Sequence, residues 1–301
     1  MKIGTHNGPF HADDVLAVAT FMLMHPNATV VRTRDAAVLA TCDVVVDVGD
    51  VDDAEKGRFD HHQREGKPTP RANGVPYSSF GLVWRKFGAE IASGASWASS
   101  STAAPSSIAA VVDRDLVQSI DALDNGYGTY AAVAPGVHHV TISAVISSFN
   151  PTWQEQSSPE AFDAAFEFCL EYARRIVTRA VENAKAEVAA KDLVRTQVGQ
   201  EIIVIDQHAP VMDTIITTSV ATKFLVFPSP GGEWMVQCVP PSVGSFDKRK
   251  ALPEAWAGKR GADLDAVTGL TGGVFCHAGQ FICGATTMEG ALALAKLALL
   301  S

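Results

Sequence analysis

The chain has 301 residues, of which 47% are hydrophobic and 19% charged, a balance that excludes a disordered polypeptide and allows a sizeable core. Its formal net charge of -9 opposes general binding of a polyanion unless metal ions or a local basic patch reverse the field. No uncharged apolar run reaches the roughly 18 residues of a membrane span, and at roughly one domain per 100 to 200 residues the length predicts two domains.

The chain starts MKIGTHNGPFHADD, with histidines and aspartates where a signal peptide needs an apolar stretch, so a cytoplasmic protein is expected. The five cysteines Cys42, Cys169, Cys238, Cys276 and Cys283 include no CxxC pair, which argues against a disulfide framework and a thiolate zinc site. They are read as reduced and mostly buried.

In chain order, Met1 to Thr5 opens as a strand, Asp13 to Met24 has helical spacing, and Ala28 to Arg32 reads as a second strand. Cys42 to Val48, CDVVVDV, has the β-branched run of a strand buried on both faces. Strands alternating with helices predict a parallel sheet with crossover helices, which gathers ligands at the carboxyl ends of its strands. The Ser/Ala-rich stretch Ala92 to Ser107 is read as a flexible surface loop. Ser158 to Val194 opens with Ser-Pro-Glu and keeps Phe162, Phe166, Cys169, Leu170, Ala173, Ile176 and Val177 at helical spacing, which predicts one long helix bridging two domains. Three strand-like runs follow, Glu201 to Asp206, Lys223 to Pro228 and Glu233 to Val239. A glycine-rich turn, TGGVFCHAGQF, then leads into a last helix, GALALAKLALL.

Three clusters carry chemistry. In the first, His6, His11, Asp13 and Asp14 fall within nine positions directly after a strand, and imidazole nitrogen with carboxylate oxygen suits Mn, Fe or Zn. The competing reading is a polar loop in which Asp13 or Asp14 only caps a helix. The second is Asp47, a carboxylate at the end of a buried strand that is costly unless a cation meets it, with Asp50 nearby in the turn. The third is Arg58-Phe59-Asp60-His61-His62-Gln63, whose adjacent histidines face different ways on an extended chain.

THNGPFHADDVLA, DVGD, FDHHQ, SSFGLVW, IDALDNG, FNP-x-W, LPEAWAG and GGVFCHAGQFICG together cover nearly the whole chain and resemble the melanocyte proliferating gene 1 family, which is related to the DHH phosphoesterases. The resemblance implies an α/β fold: a DHH-type parallel-sheet catalytic domain over residues 1–157, a connecting helix over 158–194, and a smaller C-terminal α/β domain over 195–301 that closes over the site. It also implies two divalent ions, Mn2+ foremost, with Mg2+ or Zn2+ as alternatives. His6, His11 and Asp47 would hold one, Asp13, Asp47 and His61 the other, with Asp121 or Asp124 completing the second set. In the wider DHH group the first motif has one histidine and two aspartates, whereas here His11 stands where an aspartate is expected.

On the same resemblance, His62 contacts phosphate or protonates the leaving group, and Asp60 orients the histidine pair. Arg249, His277 and the amides of Gly272, Gly273 and Gly279 hold other phosphates. The leading expectation is a 3′-to-5′ exonuclease acting on RNA or short oligonucleotides. The alternatives are a phosphodiesterase for nucleotides or cyclic dinucleotides, and a non-catalytic nucleotide- or metal-binding protein. Arg58, Arg64, Lys67 and Arg71 would guide a short backbone toward the metals. No membrane partner is expected, and a homo-oligomer is left open.

Overall fold

Short β-branched and glycine-containing runs, each too short for a helix, assemble the first sheet. In the computed structural model, which describes residues 1–94, 104–128, 136–137, 139–155 and 158–301, β1 (Lys2–Thr5), β2 (Thr29–Arg32), β3 (Val44–Val46), β4 (Asp52–Asp53) and β5 (Arg58–Phe59) line up in the order β2-β1-β3-β5-β4. The first four strands of that order are parallel, with Ile3 opposite both Val30 and Val44 and Val46 opposite Phe59; β4 alone is antiparallel, on the edge. The fold is α/β, as expected.

Crossover helices supply the parallel connections, beginning with α1 (Ala12–Met24) and α2 (Ala36–Leu39). Further helices follow as α3 (Ser79–Ser93), α4 (Pro105–Val112), α5 (Gln118–Asp124) and α6 (Ile142–Ser147), with a π turn over Asp113–Val117 joining α4 to α5. Helix α1 packs against α3, and Phe21, Phe59 and Phe87 meet between them and the sheet at ring distances of 5.3 to 5.8 Å. Phe21 and Phe59 are almost wholly buried, worth about 1.5 to 3 kcal/mol each. The expected loop over Ala92 to Ser107 is shorter at both ends, because α3 runs through Ser93 and Pro105, a favoured residue in a first helical turn, starts α4. Residues 95–103 of that stretch lie outside the described residues.

Helix α7 spans Pro159–Arg195, its entry fixed by Ser158, whose hydroxyl accepts from Ala161 N. The chain divides into compact units at Met1–Lys185 and Ala186–Ser301, a boundary that falls inside this helix. The second unit is built on a five-stranded sheet of order β6-β7-β8-β10-β9, with β6 (Ile202–Val204) parallel to β7 (Phe224–Pro228) and β8 (Trp234–Cys238), β9 (Gly273–Cys276) and β10 (Ile282–Ala285) antiparallel to their neighbours. The alternation of β7 sorts its two faces. Phe224 and Val226 pack with Leu294, Ala295 and Ala298 of α10 (Met288–Leu300), whereas Leu225 and Phe227 pack with Ala190, Val194 and Ile215, the last from α8 (Met212–Thr218). Helix α9 (Gly261–Thr268) adds Leu264 to the α10 side. All five cysteines are free and buried. No helix among the described residues is long and apolar enough to cross a membrane.

Candidate metal centre

Because β1, β3 and β5 are parallel neighbours, their carboxyl ends lie on one edge of the sheet, and each runs directly into chemistry: His6 after β1, Asp47 one residue after β3 ends, and Asp60-His61-His62 after β5. Asp47 turns out of β3 with φ 57°, in the left-handed region that few residues other than glycine adopt and aspartate tolerates better than most. Helix α1 starts on the same edge and brings in Asp13 and Asp14, both buried.

The side chains converge. His6 Nδ1 sits 3.2 Å from the Asn7 carbonyl, which only accepts, so the proton belongs on Nδ1 and Nε2 turns inward, 3.3 Å from Asp14 Oδ2 and 3.4 Å from Asp47 Oδ2. His61 Nε2 lies 3.1 Å from Asp124 Oδ2, 3.5 Å from Asp47 Oδ1 and 3.7 Å from Asp13 Oδ2. His62 Nδ1 lies 2.8 Å from Asp60 Oδ1 and 3.5 Å from Asp47 Oδ1. Asp60 is itself fixed by the backbone N–H of Asp50 on its other oxygen, and so holds the His62 ring in place.

These groups form three overlapping sets with ligand atoms within 4.8 Å of one another: His6, His11, Asp14 and Asp47; Asp47, His61 and His62; and Asp13, His61 and Asp124. Asp47 and His61 each belong to two sets. The donors are all nitrogen and oxygen, and two inward atoms, Asp14 Oδ2 and His61 Nε2, are buried without a hydrogen bond. Orphaned ligand atoms among clustered carboxylates are what a divalent cation would satisfy, so the residues fit the metal that the sequence implies.

The electrostatics agree. Burial, reinforced by the charges of Asp47 and Asp124, pushes Asp13 far above the carboxylate range, and burial lifts Asp14 to about 7. Burial also acts to raise Asp47, but the neighbouring His6 and His61 imidazoles outweigh it and hold the group well below its usual value. Burial opposes a charged His61, yet Asp124, Asp47 and Asp13 override it and raise the imidazole to about 11. His6, opposed by burial but favoured by Asp47 and Asp14, and His62, favoured by Asp60, are raised as well. Without a metal, protons on the histidines balance the carboxylates; a metal would replace those protons.

The SSFGLVW segment explains how Asp13 is held. Its Ser79 and Phe80 amides, in the first turn of α3, donate to Asp13 at 3.1 and 2.6 Å, and Gly81 N donates to Asp121 at 3.1 Å. The buried Ser78 hydroxyl lies 2.5 Å from both carboxylates, and Ser79 Oγ reaches Asp47 at 3.3 Å. A Cβ on Gly81 would come within 2.0 Å of Asp121 Oδ2, so this close approach requires glycine. The structure therefore distinguishes the two aspartates of IDALDNG: Asp121 pairs with Arg71 Nη1 at 2.6 Å, whereas Asp124 faces His61.

Loop His6–His11 is fixed from two sides. Asn150 of the FNP motif accepts from Phe10 N at 3.0 Å and donates to Phe10 O at 2.8 Å. Arg32 donates to Gly8 O at 2.6 Å while lying over the rings of Phe10 and Phe166. Sequence reasoning missed Asn150, Ser78 and Ser79 as site-builders, and left Asp14 as a possible cap. The consecutive aspartates at the start of α1 were the available signal, since both are buried there and Asp14 also accepts from His11 N at 2.7 Å.

The C-terminal candidates have other partners, each within the second unit. Gly272 N and Gly273 N donate to the Asp265 carboxylate at 3.1 and 2.7 Å, so the anion these amides hold is the chain's own. Gly279 N donates to His277 Nδ1 at 2.9 Å. Arg249 donates to the carbonyls of Ile216, Ser219 and Thr222, closing the carboxyl end of α8. The expectation that Arg249 grips phosphate thus meets a guanidinium already bound to backbone. Of the basic residues expected to guide a polymer, Arg58 binds the carbonyls of Cys42, Asp43, Lys56 and Gly57, and Arg71 pairs with Asp113 and Asp121 over the ring of Tyr77.

Most of the metal-facing residues line one cleft of about 740 Å3, together with Arg34, Leu39, Val48, Ile120, Leu123 and Ser143. Comparison with known proteins now adds to this geometry. The profile of the MYG1_exonuc family, described as Uncharacterised protein family (UPF0160), matches residues 2–299. Over 99% of its length the chain is 35% identical to MYG1 exonuclease of Rattus norvegicus, covering 84% of that protein, and 34% identical to MYG1 exonuclease of Homo sapiens, covering 85%. It is also 34% identical to MYG1 protein C694.04c of Schizosaccharomyces pombe, covering 97% of it. Among solved structures, the pGpG-specific phosphodiesterase PggH from Vibrio aligns with 99% of this chain and 97% of its own, at 12% identity and a TM-score of 0.28, a likeness too low to carry an inference.

Proposed function

The chain belongs to the MYG1 exonuclease family, and from that premise we propose that it is a metal-dependent phosphodiester hydrolase that removes nucleotides from the 3′ end of RNA or short oligonucleotides. The observation that carries this reading is the sharing of Asp47 between donor sets at the carboxyl edge of the sheet, its Oδ2 toward His6 and its Oδ1 toward His61, which is the arrangement a pair of neighbouring divalent ions needs. His6, His11, Asp14 and Asp47 would hold one ion; Asp13, Asp47, His61 and Asp124 would hold the other. The mixed nitrogen and oxygen donors favour Mn2+, with Zn2+ or Mg2+ as alternatives. When bound, such ions supply an activated water and neutralise charge on the phosphoryl oxygens.

The chain's own residues then have separate duties. Asp60 holds the His62 ring at the cleft, and His62, with its side chain 58% exposed, can meet the substrate as a proton donor or phosphate contact. The N-terminal turn of α3 holds Asp13 in place, and Ser79 holds Asp47. A second reading, a phosphodiesterase for nucleotides or dinucleotides, is favoured by the cleft itself. It is lined by Asp13, Asp47, Asp50, Asp60 and Asp124, so a long polyanion gains little from it.

The test is turnover with Mn2+, Mg2+ or Zn2+ on end-labelled RNA of increasing length, from a dinucleotide upward. Products that shorten one nucleotide at a time from the 3′ end, at rates that rise with length, support the exonuclease. Rates that peak at the dinucleotide favour the second reading, and no hydrolysis with any of the ions defeats both.

A further inference from the structure

We propose that Arg34 holds a non-scissile phosphate of the substrate, next to the phosphodiester presented to the metal centre, so that the site prefers ligands carrying two phosphates. The inference rests on the reading of the cleft as a phosphodiesterase site and adds to it the group that recognises the flanking phosphate.

Arg34 follows β2 and lines the same cleft as His6, Asp13, Asp47 and His62. Among the described residues it is the one arginine or lysine in that lining, against five aspartates. An anionic ligand therefore meets carboxylates through much of that lining, and beside the histidines Arg34 is the cation there that stays charged at any working pH. Neighbouring arginines are engaged elsewhere: Arg32 with Asp163 and Gly8 O, Arg58 with backbone carbonyls, Arg71 with Asp113 and Asp121. Arg34 makes no hydrogen bond or ion pair with any described residue. Even the adjacent carboxylate is occupied, since Asp35 caps α2 by accepting from Ala37 N and Val38 N.

Its depth in the cleft decides which phosphate it meets. His6, Asp13, Asp47 and His61 are buried, whereas Arg34 is exposed, so it stands at the rim and the ligand set at the floor. A phosphate at the floor would be the one attacked; one at the rim belongs to the adjoining nucleotide. A guanidinium suits that task because its planar fork grips phosphate with two parallel hydrogen bonds, and an uncommitted side chain loses no existing contact in doing so.

The experiment compares adenosine 3′,5′-bisphosphate with adenosine 5′-monophosphate, neither of which carries a diester to hydrolyse, by titration calorimetry against the Mn2+-loaded chain and its Arg34→Ala and Arg34→Lys variants. The native chain is expected to prefer the bisphosphate, Arg34→Ala to lose about 10- to 100-fold of affinity for it with little change for the monophosphate, and Arg34→Lys to recover part of the loss. Mn2+ affinity and melting temperature should be the same in all three. A bisphosphate preference that survives Arg34→Ala overturns the assignment, as does an equal loss for both nucleotides. Hydrolysis of a dinucleotide, assayed in parallel, reports separately on the phosphodiesterase reading: a chain that cleaves nothing yet shows the Arg34-dependent preference loses that reading and keeps the binding site.

Discussion

His61 Nε2 lies 3.1 Å from Asp124 Oδ2, buried and without a hydrogen bond, and two more carboxylates, from Asp47 and Asp13, stand within 3.7 Å of the same nitrogen. One imidazole N–H can serve only one of three acceptors. The metal-free cluster is thus stabilised by charge on the ring rather than by directed bonds, and this makes its stability depend on pH.

The sign follows from two large shifts within the cluster, at His61 and Asp14. His61 is raised from 6.5 to about 11, so its contribution is full below 6.5 and lost as pH rises through 11. Asp14 is raised from 3.8 to about 7; its protonated form favours the fold, and that contribution is full below 3.8 and lost as pH climbs through 7. Both predict that the chelator-treated chain loses stability as pH rises from about 5 to 9. Metal affinity should rise over the same window, because the ligands must shed protons. Melting scans at successive pH values, with EDTA and with Mn2+, check this; a chelated chain that melts higher as pH rises contradicts it.

Ser79 offers a way to disturb Asp47 without touching a ligand. Ser79→Ala removes the hydroxyl 3.3 Å from Asp47 Oδ1 but keeps the backbone N–H that donates to Asp13. Loss of such a supporting hydrogen bond should lower metal affinity or turnover by about 10- to 100-fold. Melting temperature should change little, and calorimetric Mn2+ titration beside a rate assay separates this role from a general loss of structure.

Asn150 bonds both backbone groups of Phe10, which is fully buried. Asn150→Ala should destabilise the chain by about 1 to 3 kcal/mol through the unpaired groups it leaves, and should weaken Mn2+ binding because His6 and His11 flank the released loop. Denaturant unfolding and metal titration measure the two effects, and unchanged values of both would show that the clamp is dispensable.

Arg249 closes the carboxyl end of α8, so Arg249→Ala should act on folding of the second unit, costing about 1.5 to 3 kcal/mol for lost charged hydrogen bonds. Nucleotide affinity at the Mn2+-loaded cleft should stay at the native value. A variant that melts normally but binds nucleotide more weakly would restore this arginine to the substrate.

Much of the centre was legible because its residues follow strands. The run VVVDV placed Asp47 at a strand end, and His6 stood directly after the first strand by the same logic; His61 was singled out only by its adjacent histidines, because the two-residue strand β5 that carries it to the same sheet edge is too short to leave a pattern. What the sequence withheld depends on contacts distant along the chain. Nothing local in SSFG or FNP says that one turns its first helical amides onto Asp13 and the other grips Phe10. The pairing of Asp121 with Arg71, while Asp124 faces His61, and the engagement of Arg249 at the end of α8 likewise have no local pattern. In the second unit three apolar runs were read as strands, but apolar alternation does not tell parallel from antiparallel pairing, and β8 proved antiparallel; the stretch TGGVFCHAGQF, read as a glycine-rich turn, holds β9, and β10 follows it directly, both antiparallel.

The central claim is that Asp47 joins two metal positions, and counting ions per chain tests it most directly. Equilibrium Mn2+ binding should give two ions per native chain, and Asp47→Asn, with its circular dichroism unchanged, should fall to one ion or fewer and lose turnover. A native chain that saturates with a single ion, or an Asp47→Asn variant that still binds two and turns over normally, would contradict the account.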